Sequence, residues 1–156
     1  MALTNYNTKV AIIYSSITGN TEELMNLLFS YFQSYSVKVT KIKIEDFDLQ
    51  TISEYDVIVI GTYTWGNGEI PAELRSLYHE FERQYVGHLV TGVVGTGDRF
   101  YPNFCGAVDE FRDMLYVHTI LTATMKIELT PQKQDQYKCE KFVRLLMERI
   151  KGQRSA

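Results

Sequence analysis

Hydrophobic and polar positions fall into two patterns that alternate from one end of the chain to the other. Residues 10–14 and 57–60 are continuous apolar runs, and residues 89–94 form a third run that includes small residues. Such runs are typical of strands that are buried on both faces of a sheet. Residues 37–44 and 125–129 instead alternate apolar positions with polar ones that include lysine, which is typical of edge strands. The pattern therefore predicts three central strands and two edge strands.

Between these strands, apolar residues recur every three or four positions, which is the spacing of an amphipathic helix. Four such stripes are present, and each is interpreted as a helix that packs on the sheet. Their members are Leu24, Leu27, Leu28 and Tyr31; Leu74, Leu77, Tyr78 and Phe81; Phe104, Val108, Phe111 and Leu115; Cys139, Val143, Leu146 and Ile150. Strands and helices in alternation predict a three-layer α/β sandwich, with helices on both faces of a five-stranded parallel sheet of order 2-1-3-4-5.

Length and composition place the chain among ordinary globular proteins. Its 156 residues are 45% apolar and 22% charged, and they fit one domain spanning 1–156 with no linker-like stretch. No apolar run approaches the ~20 residues of a membrane helix, so a membrane protein is not expected. Residues 1–8 lack the basic and apolar segments of a secretory signal. We therefore expect a single cytoplasmic domain.

Charge and cysteine usage exclude further classes. The net charge of −3 argues against a nucleic-acid-binding protein, which would carry a basic surface. Cys105 and Cys139 lie far apart and the three histidines are scattered, so neither a CxxC motif nor a metal site is expected.

The polar residues most relevant to function follow the first, third and fourth predicted strands. Ligands of open α/β sheets bind beyond the carboxyl ends of the strands, close to the point where the strand order reverses. The first loop, residues 15–22, combines hydroxyl and amide side chains with Gly19 at the start of a helix and contains no Lys or Arg. Backbone N–H groups and the helix dipole attract an anion at such a place. We interpret this loop as a neutral cradle for a phosphate.

The second and third loops add aromatic residues and glycines. Residues 62–69 contain the only tryptophan of the chain, Trp65, between polar residues and two glycines. Residues 95–105 begin with glycines and continue into an aromatic stretch that can cover the opposite side of the same ligand. Together the three loops describe a site for a flat, phosphorylated cofactor.

Several segments resemble the short-chain flavodoxins, a family of FMN-containing electron carriers. These segments are residues 16–22, 61–66 and 95–98, followed by Tyr101, Phe104 and Cys105. The resemblance extends from about Lys9 to Ile150, and the last strand leads into the last helix without the insertion of long-chain members. It implies an FMN-binding set of Ser16, Ile17, Thr18, Gly19, Asn20, Thr21, Thr62, Tyr63, Thr64, Trp65, Gly66, Asn67, Gly95, Thr96, Gly97, Asp98, Tyr101, Asn103, Phe104 and Cys105.

The resemblance also implies roles for these positions. Those that would bind the phosphate are Ser16, Thr18, Asn20 and Thr21, and Thr64 would lie near the ribityl chain. Trp65 and Tyr101 would stack on the two faces of the flavin ring, and the Gly66 peptide would turn to hydrogen-bond N5 after one-electron reduction. Main-chain groups of Asp98, Asn103 and Cys105 would meet the pyrimidine edge.

A flavodoxin-type carrier needs no catalytic acid, base or nucleophile, because FMN supplies the redox chemistry. The resemblance implies a donor of the flavodoxin/ferredoxin–NADP reductase type and redox-enzyme acceptors, bound transiently by a monomer through charge. Glu69, Glu73 and Asp98 are interpreted as an acidic patch for such partners. Asn67 replaces an acidic residue of many relatives, and Arg99 adds a positive charge. We therefore expect a less depressed potential for the fully reduced flavin than in acidic relatives.

Three other functions are considered. A flavodoxin-like activator dedicated to manganese ribonucleotide reductase would share the fold and the cofactor. A phosphoacceptor signalling domain needs a carboxylate after the first strand, where this chain has Ser15 and Ser16. An FMN-dependent quinone reductase would need a nicotinamide pocket, which the sequence does not indicate.

Overall fold

The computed structural model describes residues 7–17, 19–64 and 67–155, with side chains as far as Gln153. The strands are β1 (Lys9–Tyr14), β2 (Lys38–Lys43), β3 (Val57–Tyr63), β4 (Val90–Gly97) and β5 (Ile120–Glu128). The α-helices are α1 (Asn20–Phe32), α2 (Arg75–Arg83), α3 (Gly106–His118) and α4 (Gln136–Ser155). Short 3₁₀ turns cover Ile44–Asp46, Leu49–Glu54, Ala72–Leu74 and Lys133–Asp135.

The five strands form one parallel sheet of order β2-β1-β3-β4-β5, as the sequence predicts. In the two innermost pairings, Val10 lies opposite Val57, and Val57 lies opposite Val90. The side chains of β1, β3 and β4 are almost all buried because helices cover both faces. The edge strand β2 alternates exposed and half-buried positions, and its exposed lysines discourage pairing with another chain.

The last strand is longer than predicted. The alternating segment 125–129 suggested five residues, but β5 begins at Ile120, which pairs with Val90, and ends at Glu128. The strand also contains a register shift opposite Thr91 and Gly92, which breaks the regular alternation along its first half. Leu129 lies outside the strand in a left-handed conformation with φ 59°.

The helices pack as two layers over two separate apolar cores. Helices α2 and α3 cover one face, where Phe81 and Phe111 are fully buried. Helices α1 and α4 cover the other face, where Phe32 and Phe142 lie against the sheet. The four predicted stripes therefore do pack on the sheet, but two of their members lie outside the α-helices. Leu74 lies in the 3₁₀ turn before α2, and Phe104 precedes α3. Among the described residues, no helix is long and apolar enough to cross a membrane.

Candidate cofactor site

The first, second and third loops leave β1, β3 and β4 at the same edge of the sheet. Since β1 leads to β2 on one side and the chain then crosses to β3 on the other, the strand order reverses between β1 and β3. The structure therefore brings the three predicted loops together at the place where this fold class binds ligands.

The first loop is organised by Ser16. Its Oγ accepts hydrogen bonds from the main-chain N–H groups of Gly19, at 3.0 Å, and Glu22, at 3.4 Å. Gly19 has φ 93°, a left-handed conformation that favours glycine, and a Cβ there would meet no atom of the described residues within 4 Å, its chain neighbours aside. The described residues therefore leave open space in front of the first turn of α1.

The donors around that space are neutral. The main-chain N–H groups of Asn20 and Thr21 belong to the first turn of α1 and have no intrahelical acceptor. The Ser16 hydroxyl accepts from two main-chain groups, so its own hydrogen is free to donate elsewhere. This donor set fits a phosphate bound at a helix N-terminus. Thr18, which the sequence also assigned to the phosphate, lies outside the described residues.

Thr21 has a different surrounding from the one that the sequence suggested. Its side chain is buried, and its Oγ1 lies 2.9 Å from Thr96 Oγ1 at the end of β4. This contact joins α1 to the third loop. The main-chain N–H of Thr21 lies in the first turn of α1, and either hydroxyl of the Thr21–Thr96 pair can be the donor.

Two carboxylates beside the first loop are held by hydroxyl donors. The Tyr14 hydroxyl donates to Glu22 Oε2 at 3.0 Å, and burial together with this carboxylate raises the pKa of Tyr14 to about 12. Ser15 Oγ and the Tyr63 hydroxyl both donate to Glu73 Oε2, at 2.5 and 2.6 Å. Burial and the neighbouring Glu73 also raise the pKa of Tyr63. The exposed Glu73 carboxylate thus joins Ser15 to Tyr63 and does not act only as a charge on the rim.

The second loop is attached to α3 and to the third loop. Thr62 is buried and its hydroxyl donates to the Tyr63 carbonyl at 2.6 Å. Thr64 Oγ1 accepts from the main-chain N–H of Ala107 at 3.3 Å. The Asn67 carbonyl accepts from Asn103 Nδ2 at 2.8 Å. Trp65 and Gly66, the predicted stacking residue and the predicted turning peptide, lie outside the described residues.

The third loop begins as a turn built on Asp98. Its Oδ1 accepts from the N–H of Phe100 at 2.9 Å, and its carbonyl accepts from the N–H of Tyr101 at 3.1 Å. The Tyr101 side chain is 63% exposed, so an aromatic face is available at this edge. Arg99 lies over the ring of Phe104 at 4.6 Å and forms an ion pair with Glu128.

Two residues of the third loop have left-handed backbones, Asn103 with φ 58° and Cys105 with φ 52°. Among the hydrogen bonds of the described residues, none comes from the main-chain N–H of Asn103 or Cys105. These N–H groups fit the carbonyl-bearing edge of a ring. The Cys105 thiol is buried 3.8 Å from the Gly95 carbonyl, and burial raises its pKa to about 12. A neutral, buried thiol agrees with a main-chain role for this residue.

Comparisons with known proteins identify the family. The flavodoxin family model matches residues 12–142. Probable flavodoxin 1 of Bacillus subtilis strain 168 is 36% identical over 139 residues, covering 87% of this chain and 88% of the relative. Oxidised flavodoxin 2 from Bacillus cereus superposes with a TM-score of 0.85 at 32% identity, covering 91% of this chain and 99% of that one.

A further solved structure is a short-chain flavodoxin associated with a bacterial microcompartment. It has a TM-score of 0.87 at 29% identity, and the match covers 92% of this chain and 99% of that chain. The family match and these relatives identify an FMN-binding electron-transfer protein. The chain belongs to the flavodoxin family. These relatives give no specific support to the alternative of an activator dedicated to ribonucleotide reductase.

The sequence did not indicate three of the contacts around the site. They are the Glu73 carboxylate between Ser15 and Tyr63, the Thr21–Thr96 pair, and the Asn103 side chain on Asn67. Each joins residues that are far apart in the chain. The register of β1 and β3, in which Tyr14 lies opposite Gly61, brings the ends of these strands together and could have suggested the contact of Ser15 and Tyr63 with Glu73.

Proposed function

We propose that FMN binds between the three loops through the twenty positions named from the sequence, with its phosphate at the first loop and its ring between the second and third. The observation that carries this proposal is the neutral donor set at the first turn of α1, with open space in front of Gly19. FMN supplies reversible electron transfer when it is bound. The residues of the chain bind it, orient it and limit its contact with water.

Each loop has a distinct task in this proposal. The Ser16 hydroxyl and the N–H groups of Asn20 and Thr21 hold the phosphate dianion without a counter-charge. The N–H groups of Asn103 and Cys105 orient the ring. Trp65 and Tyr101 contribute stacking area, which favours the uncharged ring over a charged one.

We further propose that a reductase of the flavodoxin/ferredoxin–NADP type donates electrons and that redox enzymes accept them by brief docking at this edge. The negative charge at this edge is partly neutralised by arginines. Glu69 of the acidic patch pairs with Arg75 at 3.9 Å, and the nearby Glu128 pairs with Arg99 at 3.6 Å. Such exposed pairs contribute little to stability but reduce the field that a basic partner meets. The docking rate should therefore depend only moderately on salt concentration.

Flavin binding and electron transfer are tested separately. Apoprotein is titrated with FMN while flavin fluorescence is followed, and the holoprotein is then reduced by NADPH with and without a ferredoxin–NADP reductase. We expect stoichiometric binding and reduction only when the reductase is present. Failure to bind FMN, or NADPH oxidation by the protein alone, would contradict the proposal. We also propose that the protein is cytoplasmic and monomeric. Light scattering tests the second point, because it measures the mass of the particle in solution.

A further inference from the structure

The second and third loops meet at one point beyond the edge of the sheet. Asn103 Nδ2 donates to the Asn67 carbonyl at 2.8 Å across 36 residues of sequence. Asn103 has φ 58°, a conformation that asparagine adopts more readily than most residues. The side chain therefore makes this contact from a backbone conformation that suits few other side chains.

Direct backbone packing reinforces the hydrogen bond. A Cβ on Gly106 would lie 2.7 Å from Gly68 Cα and 2.9 Å from the Gly68 carbonyl oxygen. A Cβ on Gly68, which has φ 105°, would lie 2.9 Å from Asn103 Cβ. Real Cβ atoms do not approach other atoms so closely, so the two glycines allow the loops to touch. We call the Asn103–Asn67 hydrogen bond and the Gly68–Gly106 contact the interloop clamp.

We propose that Asn103 is a positioning residue whose side chain fixes the separation of the two loops that flank the FMN ring. This inference rests on the proposed function, in which the ring lies between those loops. Thr64 is held to α3 by the N–H of Ala107, and Asn67 is held to the third loop by Asn103. A separation set before the cofactor arrives lowers the entropy lost on binding.

The interloop clamp affects binding of the flavin ring and not of the phosphate. Its loss can therefore be recognised by comparing the affinities of FMN and riboflavin. Loss of the clamp should weaken binding of FMN and of riboflavin, which lacks the phosphate, by the same factor. A general loss of structure would instead lower the thermal stability, and damage to the first loop would weaken only FMN.

Two variants remove the donor and keep the left-handed backbone. Asn103→Gly deletes the side chain without adding charge, and Asn103→Asp keeps its shape but replaces the amide donor with an acceptor. Both should raise the dissociation constants of FMN and riboflavin about five-fold to ten-fold, as expected for one hydrogen bond. The control is Ser76→Ala, an exposed change on α2 away from the three loops, which should change either constant by less than about two-fold.

Dissociation constants are measured by quenching of flavin fluorescence, and folding of each apoprotein by circular dichroism. If the unchanged protein does not bind FMN, the proposed function fails and the clamp with it. If it binds FMN but both Asn103 variants stay within about two-fold of it, the clamp alone is overturned. Weakening that affects FMN and spares riboflavin would also overturn the clamp.

Discussion

The two ends of the cofactor site differ in what holds their backbone in place. At the first loop, one side chain, Ser16, caps the helix, and Gly19 is needed for its left-handed conformation with open space around it. At the other end, Gly106 is needed because its backbone touches that of Gly68, and Gly68 is needed for its φ of 105° and its contact with the Asn103 side chain. The first end leaves room for a ligand, whereas at the second end contact between loops defines a slot. Substitutions at the second end should therefore mainly lower folding stability, and those at the first end should mainly weaken FMN binding.

The contact between backbones should be the most sensitive feature. Gly106→Ala places a methyl group 2.7 Å from Gly68 Cα, and all three nearest atoms belong to the Gly68 backbone. Because a main chain cannot rotate away as a side chain can, we expect a loss of about 3 kcal/mol in the free energy of unfolding. Urea unfolding of the apoprotein measures this loss.

Gly87→Ala is the matched control, since in the part of the chain that the structure describes a Cβ at Gly87 meets no atom within 4 Å. It should leave stability unchanged or raise it by about 0.5 kcal/mol, through the lower entropy of the unfolded chain. If Gly106→Ala were as stable as Gly87→Ala, the backbone contact between Gly68 and Gly106 would not constrain the end of the site that we assign to the flavin ring (the ring end).

The second largest effect should arise at the first loop. Ser16→Ala removes the acceptor of two main-chain N–H groups and the hydroxyl that we assign to the phosphate. Hydrogen bonds to charged groups contribute about 1.5–3 kcal/mol, so FMN should bind roughly 10-fold to 100-fold more weakly. Riboflavin affinity should stay nearly constant, because riboflavin has no phosphate.

Ser30→Ala serves as the control for this substitution. Ser30 is exposed on α1, and its hydroxyl bonds only to the Leu27 carbonyl of its own helix. Equal losses for FMN and riboflavin in Ser16→Ala would show that the first loop does not discriminate by phosphate.

The fold was predicted well from the sequence because the local pattern of apolar and polar residues indicates which side chains are buried. The apolar run 57–60 is typical of a strand covered on both sides, and the alternation of strands and helices then restricts the topology. The first half of β5 was missed because its register shift disturbs the alternation that marks an edge strand. Phe104 was assigned to α3 because its spacing from Val108 is helical, although the left-handed Cys105 delays the helix.

The site was predicted less completely, since its contacts are made across the sheet. Glu73 was interpreted as an acidic residue of the rim, yet the pairing of β1 with β3 brings Ser15 and Tyr63 to the same carboxylate oxygen. No local spacing signals that the Asn103 side chain reaches Asn67. The residue types of the loops were informative, but their mutual geometry depends on the tertiary structure.

A third and smaller effect concerns charge at the ring end. Asn67 is exposed, and Asn67→Asp would place a negative charge in the second loop. A charge near the ring opposes the addition of electrons, so the potential of the fully reduced flavin should fall by about 30 mV, reduced by solvent screening. A redox titration of the holoprotein measures this fall. Gln50→Glu, an exposed change in the turn Leu49–Glu54, is the control and should leave the potential unchanged.

The smallest effect should come from the carboxylate beside the first loop. Burial alone would raise the pKa of Glu73 above its ordinary value of 4.5, but hydrogen bonds from Ser15 and Tyr63 outweigh burial and lower it. Such a carboxyl stabilises the fold at pH values above its unfolded pKa, and this contribution is lost as the pH falls through the folded pKa. Since Glu73 is largely exposed, the contribution should stay below about 0.5 kcal/mol.

Glu73→Gln should therefore be slightly less stable than the unchanged protein near pH 7, and the difference should disappear as the pH falls through the lowered pKa of Glu73. Urea unfolding followed from neutral to acid pH measures it, with Glu54→Gln, an exposed carboxylate in the turn Leu49–Glu54, as the control. A stability difference that grows toward acid would mean that Ser15 and Tyr63 hold the protonated carboxyl instead. The first loop would then be fixed by Ser16 and Gly19 alone, and its contrast with the ring end would be sharper.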